Sequence, residues 1–300
     1  MTCSIIFLLG AAIFLAYLAV CSNAYALDAV EVSNVFDNPA SASTPTPVSA
    51  LPEPLNESSE PEQFGGVRSE RDRLINSILD SRQVEYDGDN GDVRHNVRDI
   101  LSGMLSDLDM ETLQNIENND DFTVYVIPAS MDLTDLPDFA SYKGKKRPSG
   151  KPYEDVRGIM FFNETGSQIV ASEENLVSGR IPGAKHRNMH KYRGATLIHE
   201  LAHLVWHRLL RTKRTPIANN FTKRRDNSQA FPGYHSKKNA SEYFAVSTAM
   251  FFEASDYDGT NGPDWLREND IFMYNSLVDI FGQPKNLSLG IDFSAVTGSY

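Results

Sequence analysis

A segment without Pro or Gly, residues 195–210, constrains the fold most strongly, because its apolar residues recur at helical spacing. It predicts a long helix that begins after Gly194, ends before residues 212–216 and presents a broad apolar surface to a core. His199 and His203 stand four positions apart within this helix. Residues at that spacing lie on one helix face, so the two imidazoles can bind one ion.

Glu200 completes a His-Glu-x-x-His motif over residues 199–203. Its side chain is offset from His199 by about 100°, because an α-helix has about 3.6 residues per turn. The carboxylate can therefore stand beside an ion and act as general base on a water molecule whose pKa Zn²⁺ lowers toward about 7. The alternative is an amphipathic helix whose histidines are merely packed or exposed, since short motifs recur by chance.

A catalytic zinc site requires a third protein ligand. His207 continues the series, but it lies about 12 Å along the helix from His199 at about 1.5 Å per residue, too far to share an ion. A better candidate is Glu242, in the first turn of a second apolar helix predicted over residues 239–252, because a carboxylate entering a core needs a partner. Two alternatives stay open: Glu242 only complements the helix dipole, or Glu253 is the ligand instead.

These elements also carry a family resemblance. The residues that match are His199-Glu200-Leu201-Ala202-His203, Ser241-Glu242-Tyr243-Phe244-Ala245, Tyr234 and the upstream segments 136–140, 143–145 and 154–160. Between residues 121 and 256 the chain resembles the anthrax lethal factor-like zinc peptidase domain, a family that includes secreted Pro-Pro endopeptidases.

The resemblance implies a zincin-type fold, with Glu200 as general base and Tyr234 as hydrogen-bond donor to the developing oxyanion. It implies three zinc ligands: His199, His203 and Glu242. Tyr234 lies eight residues before Glu242, about one more than in the family, so Tyr243 is kept as the alternative donor.

The first 66 residues predict two segments that precede the catalytic domain, residues 67–300. Residues 1–26 have no charged side chain and end in small residues, which predicts a cleaved secretory signal, with a membrane anchor as the alternative. Residues 27–66 contain seven acidic residues, no basic one and six of the fifteen prolines, which predicts a disordered leader, linker or inhibitory propeptide. Both cysteines, Cys3 and Cys21, lie in the signal, so the mature chain has no disulfide.

The charge of the chain bears on its partners. A formal net charge of −12 predicts no nucleic-acid partner, because a dominant basic surface is missing. Two local clusters are nevertheless basic, residues 143–147 and residues 223–225. Both are interpreted as solvated loops, with attraction of an acidic substrate as the alternative.

The remaining patterns predict an α+β, mainly helical domain with a small sheet bordering the active-site cleft. They predict helices over residues 69–84, 92–108 and 270–281 and strands over residues 122–127, 156–162 and 168–172. We expect the strand 168–172 to be the sheet edge, which can take a substrate backbone as an added strand. His186 and His190 are interpreted as surface or supporting residues and not as a second ion site.

Together the patterns predict a secreted, monomeric zinc-dependent endopeptidase with one Zn²⁺ per chain and protein or peptide substrates. No stable membrane association is expected after removal of the signal. Two other hypotheses are kept: a secreted non-catalytic binding or toxin-like effector module with structural zinc, and an enzyme whose main substrate is its own acidic leader.

Overall fold

The computed structural model describes residues 62–119, 121–163, 166–178, 181–186, 192–254 and 262–290, all of which fall within one compact unit of the chain. The predicted signal, residues 1–26, and most of the predicted leader lie outside these ranges. The first helix begins at Glu62, so the last five residues of the segment predicted as leader are helical.

Helices make up most of the described residues. Their bounds are α1 (Glu62–Ser81), α2 (Asp92–Ser106), α3 (Met110–Asn119), α4 (Glu173–Leu176), α5 (Ala195–Arg208), α6 (Arg211–Asp226), α7 (Ala240–Phe251), α8 (Gly262–Asn269) and α9 (Ile271–Phe281). Short 3₁₀ helices cover Leu133–Asp135, Pro137–Tyr142 and His235–Lys237. No described helix has the length and apolar character that crossing a membrane requires.

Four strands form one mixed sheet: β1 (Gln83–Glu85), β2 (Phe122–Ile127), β3 (Gly158–Asn163) and β4 (Gly166–Ser172). The strand order is β1-β2-β4-β3, with β1, β2 and β4 parallel and β3 antiparallel to β4. The predicted α+β class with a small sheet is therefore confirmed.

The prediction that residues 168–172 form the sheet edge is wrong. They belong to β4, which pairs with β2 on one side and with β3 on the other, so the edge strands of the sheet are β1 and β3. Ile169, Val170 and Ala171 are all buried, the near-continuous apolar pattern of a strand covered on both faces. The apolar pattern of a strand indicates which of its faces are buried, but it does not indicate which strands pair with it.

Two apolar clusters cover opposite faces of the sheet. The side chains of Ile169 and Ala171 enter the larger core, which the helices complete, whereas that of Val170 enters a smaller one. The smaller cluster contains Ile127, Leu133, Leu136, Phe139, Val156 and Val170. Helix α5 lies on the larger core and packs against β3, β4 and α7. The fold thus places the predicted metal helix between the sheet edge and the second apolar helix.

A buried polar network joins α7 to α6 and α9. The carboxylate of Asp270 accepts hydrogen bonds from the hydroxyl of Tyr243 and from the backbone N–H of Met273, and it lies 3.1 Å from Nε of Arg224. Nδ2 of Asn220 donates to the same carboxylate, at 3.2 Å, and to the Tyr243 hydroxyl, at 2.8 Å. Burial of the Tyr243 hydroxyl and the charge of Asp270 raise the pKa of Tyr243. The network attaches α7 to α6 and to the start of α9.

We expect Asp270→Ala to lower the free energy of unfolding by about 3–5 kcal/mol, because it leaves the buried Arg224 guanidinium without its carboxylate. The exposed pair of Asp264 with Arg267 offers the control, since Asp264→Ala removes a carboxylate at a cost of about 0–1 kcal/mol. Denaturant unfolding of both variants measures the difference. Equal losses would show that the Asp270 network does not stabilise the fold.

Candidate metal centre

The start of helix α5 is set by a glycine and by a remote asparagine. Gly194 has φ of +83°, a conformation that residues with a Cβ rarely adopt. Its N–H donates to the carbonyl of Asn175, at 2.7 Å, and the N–H of Thr196 donates to the Asn175 side-chain oxygen, at 2.9 Å. Asn175 is buried and supplies the cap that no neighbouring side chain provides. The orientation of the histidine face of α5 is thereby fixed.

Three donor atoms converge between α5 and α7. Nε2 of His199 lies 3.2 Å from Nε2 of His203 and 3.3 Å from Oε2 of Glu242, and Nε2 of His203 lies 3.9 Å from the same oxygen. Ligands about 2.0–2.1 Å from a tetrahedral zinc ion are separated from one another by roughly 3.4 Å. Among the described residues these three form the one group of His, Cys, Asp or Glu spaced to hold a metal.

Glu242 reaches this position because α7 begins just before it. Asn239 caps the helix by accepting a hydrogen bond from the Glu242 N–H, at 2.8 Å. Oε2 of Glu242 is buried and has no hydrogen-bond partner among the described residues, an arrangement that a cation would satisfy. Burial opposes ionisation, but the adjacent His199 imidazole outweighs it and lowers the pKa of Glu242 to about 2. The donor set of two imidazoles and one carboxylate fits zinc.

The two imidazoles differ in their surroundings. Burial, reinforced by His199, lowers the pKa of His203 to about 3 and keeps its ring neutral, as a metal ligand must be. Nδ1 of His203 lies 2.8 Å from Oγ of Ser241, so a tautomer that donates there leaves the Nε2 lone pair facing the cluster. Burial disfavours the charged form of His199, yet Glu242 and Glu200 outweigh it and raise the pKa of His199.

Glu200 stands next to the donor atoms without joining them. The residue is 8 % exposed, and burial raises the pKa of its carboxyl group to about 7 although the charge of His199 opposes this. A Cβ at Gly158, the first residue of β3, would lie 3.2 Å from Oε1 of Glu200. Glu200 therefore lies between the metal ligands and the edge strand, where a general base is expected.

The structure separates the two tyrosines considered as oxyanion donors. Tyr243 is fully buried and its hydroxyl bonds Asp270 and Asn220 in the core, so its assignment as the alternative donor is wrong. Tyr234 immediately precedes the 3₁₀ helix His235–Lys237 and is 72 % exposed. Its role stays a prediction.

The remaining candidates lie elsewhere. Glu253 is exposed beyond the C-terminal end of α7, eleven residues from Glu242 and so about 16 Å along the helix at about 1.5 Å per residue; the rival assignment is wrong. His207 lies against Phe162, with ring centroids 3.9 Å apart, and does not join the cluster. Nε2 of His186 lies 3.0 Å from the carboxylate of Asp132, and His190 lies outside the described residues.

The sequence did not reveal three supporting residues: Asn175, Ser241 and Gly158. In the sequence Ser241 is only a residue of the segment that matches the family, and nothing local marks its contact with His203. Gly158, a glycine inside the strand predicted over residues 156–162, is the one local signal of a close backbone approach.

Comparisons with known proteins show similarity to solved structures. No family model matches the chain, and no curated protein is significantly similar to it. Among solved structures, a candidate zinc-binding metallopeptidase from Bacteroides caccae is 14% identical, with a TM-score of 0.34, and the match covers 77% of this chain and 91% of that one.

We expect Ser241→Ala to weaken zinc binding by about tenfold, because the variant no longer orients the His203 ring. Ser247→Ala is the matched control, since Ser247 lies buried on the same helix and its Oγ has no partner among the described residues. Titration with a competing chelator gives both affinities. Unchanged affinity in the Ser241 variant would contradict the orienting role.

We expect Gly158→Ala to disturb the site by pushing β3 away from α5, since the new Cβ would lie 2.2 Å from Cγ2 of Thr196. Thr196→Ser removes that methyl group, so the double variant should recover most of the stability lost in Gly158→Ala. A double-mutant cycle on the free energy of unfolding measures the coupling, expected at about 0.5–3 kcal/mol. Simple additivity would refute the contact.

Proposed function

We propose that this protein is a zinc-dependent endopeptidase of the anthrax lethal factor-like type. The observation that carries the proposal is the convergence of the three donor atoms of His199, His203 and Glu242, with the Glu200 carboxylate beside them and outside the ligand set. A bound zinc ion would lower the pKa of a water molecule and polarise the scissile carbonyl. Imidazole, imidazole and carboxylate with an open position are the arrangement of catalytic zinc sites.

Glu200 would move the proton in this reaction. A carboxyl group with a pKa near 7 can accept a proton from water and return it to the departing amine at neutral pH. The surrounding core excludes solvent from this group, which strengthens its interaction with the attacking oxygen. Tyr234 would supply a hydrogen bond to the oxyanion after its exposed side chain turns toward the cleft.

The edge strand β3 offers a place for the substrate backbone. Within the described residues it pairs only with β4, and its first residue, Gly158, adjoins Glu200. An extended peptide can add to such an edge through main-chain hydrogen bonds, which would bring its scissile bond toward the base. We further propose that the chain is exported through residues 1–26 and acts as a monomer with one zinc ion.

We expect Glu200→Ala to lower the cleavage rate of a peptide library by at least about 10²-fold while zinc content stays near one per chain. Glu242→Ala should lose both zinc and activity, because it removes a ligand. Glu253→Ala, which removes a carboxylate just beyond the C-terminal end of α7, should change neither. Metal analysis and mass-spectrometric mapping of cleavage sites give both readouts.

Two outcomes would count against the proposal. Cleavage that survives Glu200→Ala would exclude Glu200 as the general base. A wild-type protein that binds zinc but cleaves no peptide would favour the alternative, a non-catalytic binding or effector module with structural zinc.

A further inference from the structure

A basic hairpin stands beside the edge strand. Residues 143–155 carry five cationic and two anionic side chains, in a chain whose net charge is −12. Lys146 and Pro152 form an isolated antiparallel β-bridge. The N–H of Tyr153 donates to the carbonyl of Lys145, at 3.1 Å. The N–H of Arg147 donates to the carbonyl of Lys151, at 2.8 Å, which closes the turn. We call residues 143–153 the basic hairpin.

Aromatic packing attaches the basic hairpin to the edge strand β3. The ring of Tyr153 stacks on that of Phe161, a residue of β3, with centroids 6.3 Å apart, and packs against Tyr142 at 4.6 Å. β3 begins at Gly158, whose Cβ position would be 3.2 Å from Oε1 of Glu200. The basic hairpin is therefore attached to β3, the strand whose first residue lies next to Glu200.

A second basic segment, residues 235–238, lies beside the metal ligands. Nζ of Lys238 is 3.9 Å from Oε1 of Glu242 and 2.9 Å from Nδ1 of His235. Burial lowers the pKa of the His235 imidazole, and the charges of Lys238 and Lys151 lower it further. Lys151 belongs to the basic hairpin, so charges of both segments disfavour the protonated form of the same imidazole.

The hairpin charges are largely not neutralised by the protein. Lys146 and Lys151 are exposed, and within the described ranges no carboxylate lies at salt-bridge distance from either. Lys143 is paired with Asp135, at 3.6 Å, and Glu154 is occupied by the N–H of Gly144, at 2.6 Å. Unpaired lysines are common in solvated loops, but Lys146 and Lys151 belong to the hairpin next to β3, the edge strand proposed to bind the substrate. Such a local positive field favours an anionic ligand.

We propose that Lys146 and Lys151 of the basic hairpin, with Lys238 of the second basic segment, select substrates that carry Asp or Glu close to the scissile bond. This inference rests on the proposed peptidase function. A substrate strand added to β3 would run beside the basic hairpin, where its carboxylates would meet Lys146 and Lys151, with which no carboxylate of the described residues pairs. Net repulsion from the acidic remainder of the chain would disfavour acidic peptides elsewhere on its surface.

The test compares charge reversal at the hairpin with charge reversal elsewhere. The test variant combines Lys146→Glu with Lys151→Glu. The control combines Arg73→Glu with Arg98→Glu and gives the protein the same net charge as the test variant. Arg73 and Arg98 are exposed on α1 and α2, and their surface ion pairs contribute little to stability. The substrates are three pools of short mixed-sequence peptides that differ only in carrying Asp, Asn or Lys at two fixed positions.

For the zinc-loaded wild type we expect kcat/KM to be about tenfold higher for the Asp pool than for the Asn pool, and lowest for the Lys pool. The test variant should lose or reverse the preference for the Asp pool over the Asn pool, and the control should keep it. Raising the ionic strength should reduce it, because the hairpin charges are exposed. No charge preference in the wild type, or an equal loss in the control, would overturn the proposal and leave the peptidase function standing.

A binding measurement separates this inference from the proposed function. Fluorescence anisotropy of the same labelled pools with zinc-loaded Glu200→Ala protein reports charge selection without turnover. Preferential binding of the Asp pool that the test variant abolishes would support the basic hairpin as an acidic-peptide surface even if no cleavage occurs. Equal binding of all pools would exclude it.

Discussion

The approach of two imidazoles and one carboxylate at the α5–α7 interface is the constraint on which the rest of the structure depends. Oε2 of Glu242 is buried without a hydrogen-bond partner among the described residues, and the two Nε2 atoms face each other at 3.2 Å. Such a cluster is costly to bury unless a cation neutralises and coordinates it. The free energy of metal binding would then also hold α5 against α7. This matters because both cysteines lie in residues 1–26, outside the described domain, so no disulfide can stabilise it.

Part of the site could be predicted because its geometry is local. His199 and His203 are four residues apart on one helix, and helical periodicity alone places them on one face. Glu242 was predicted on a different ground, the cost of burying a carboxylate at the start of an apolar helix. In the structure Oε2 of Glu242 lies 3.3 Å from Nε2 of His199. Glu253 is also a carboxylate that adjoins this apolar helix, but it lies beyond the other end of α7. The two residues have the same chemistry and differ only in their position relative to the helix, so position decides which one is a ligand.

The features that were missed depend on contacts between distant segments. The order of β3 and β4 cannot be read from apolar runs, because both strands are short and apolar and only pairing defines an edge. Residues 212–216 are predicted to follow the metal helix without helical structure, yet a second helix, α6, begins at Arg211 and contains Pro216. Asn175 caps a helix that begins twenty residues later. These relations follow from tertiary packing, which a single sequence does not display.

Helix α7 links the stability of the fold to the chemistry of the site, because neighbouring residues at its start face opposite ways. Ser241 contacts the ligand His203 and Glu242 joins the metal cluster, whereas Tyr243 points into the core and bonds Asp270. Any shift of α7 that relaxed the Tyr243 network would also move the Glu242 carboxylate relative to two rings held by α5. An error of about 1 Å at a metal or catalytic group is enough to impair function. The buried network and the metal cluster therefore constrain each other through one turn of helix.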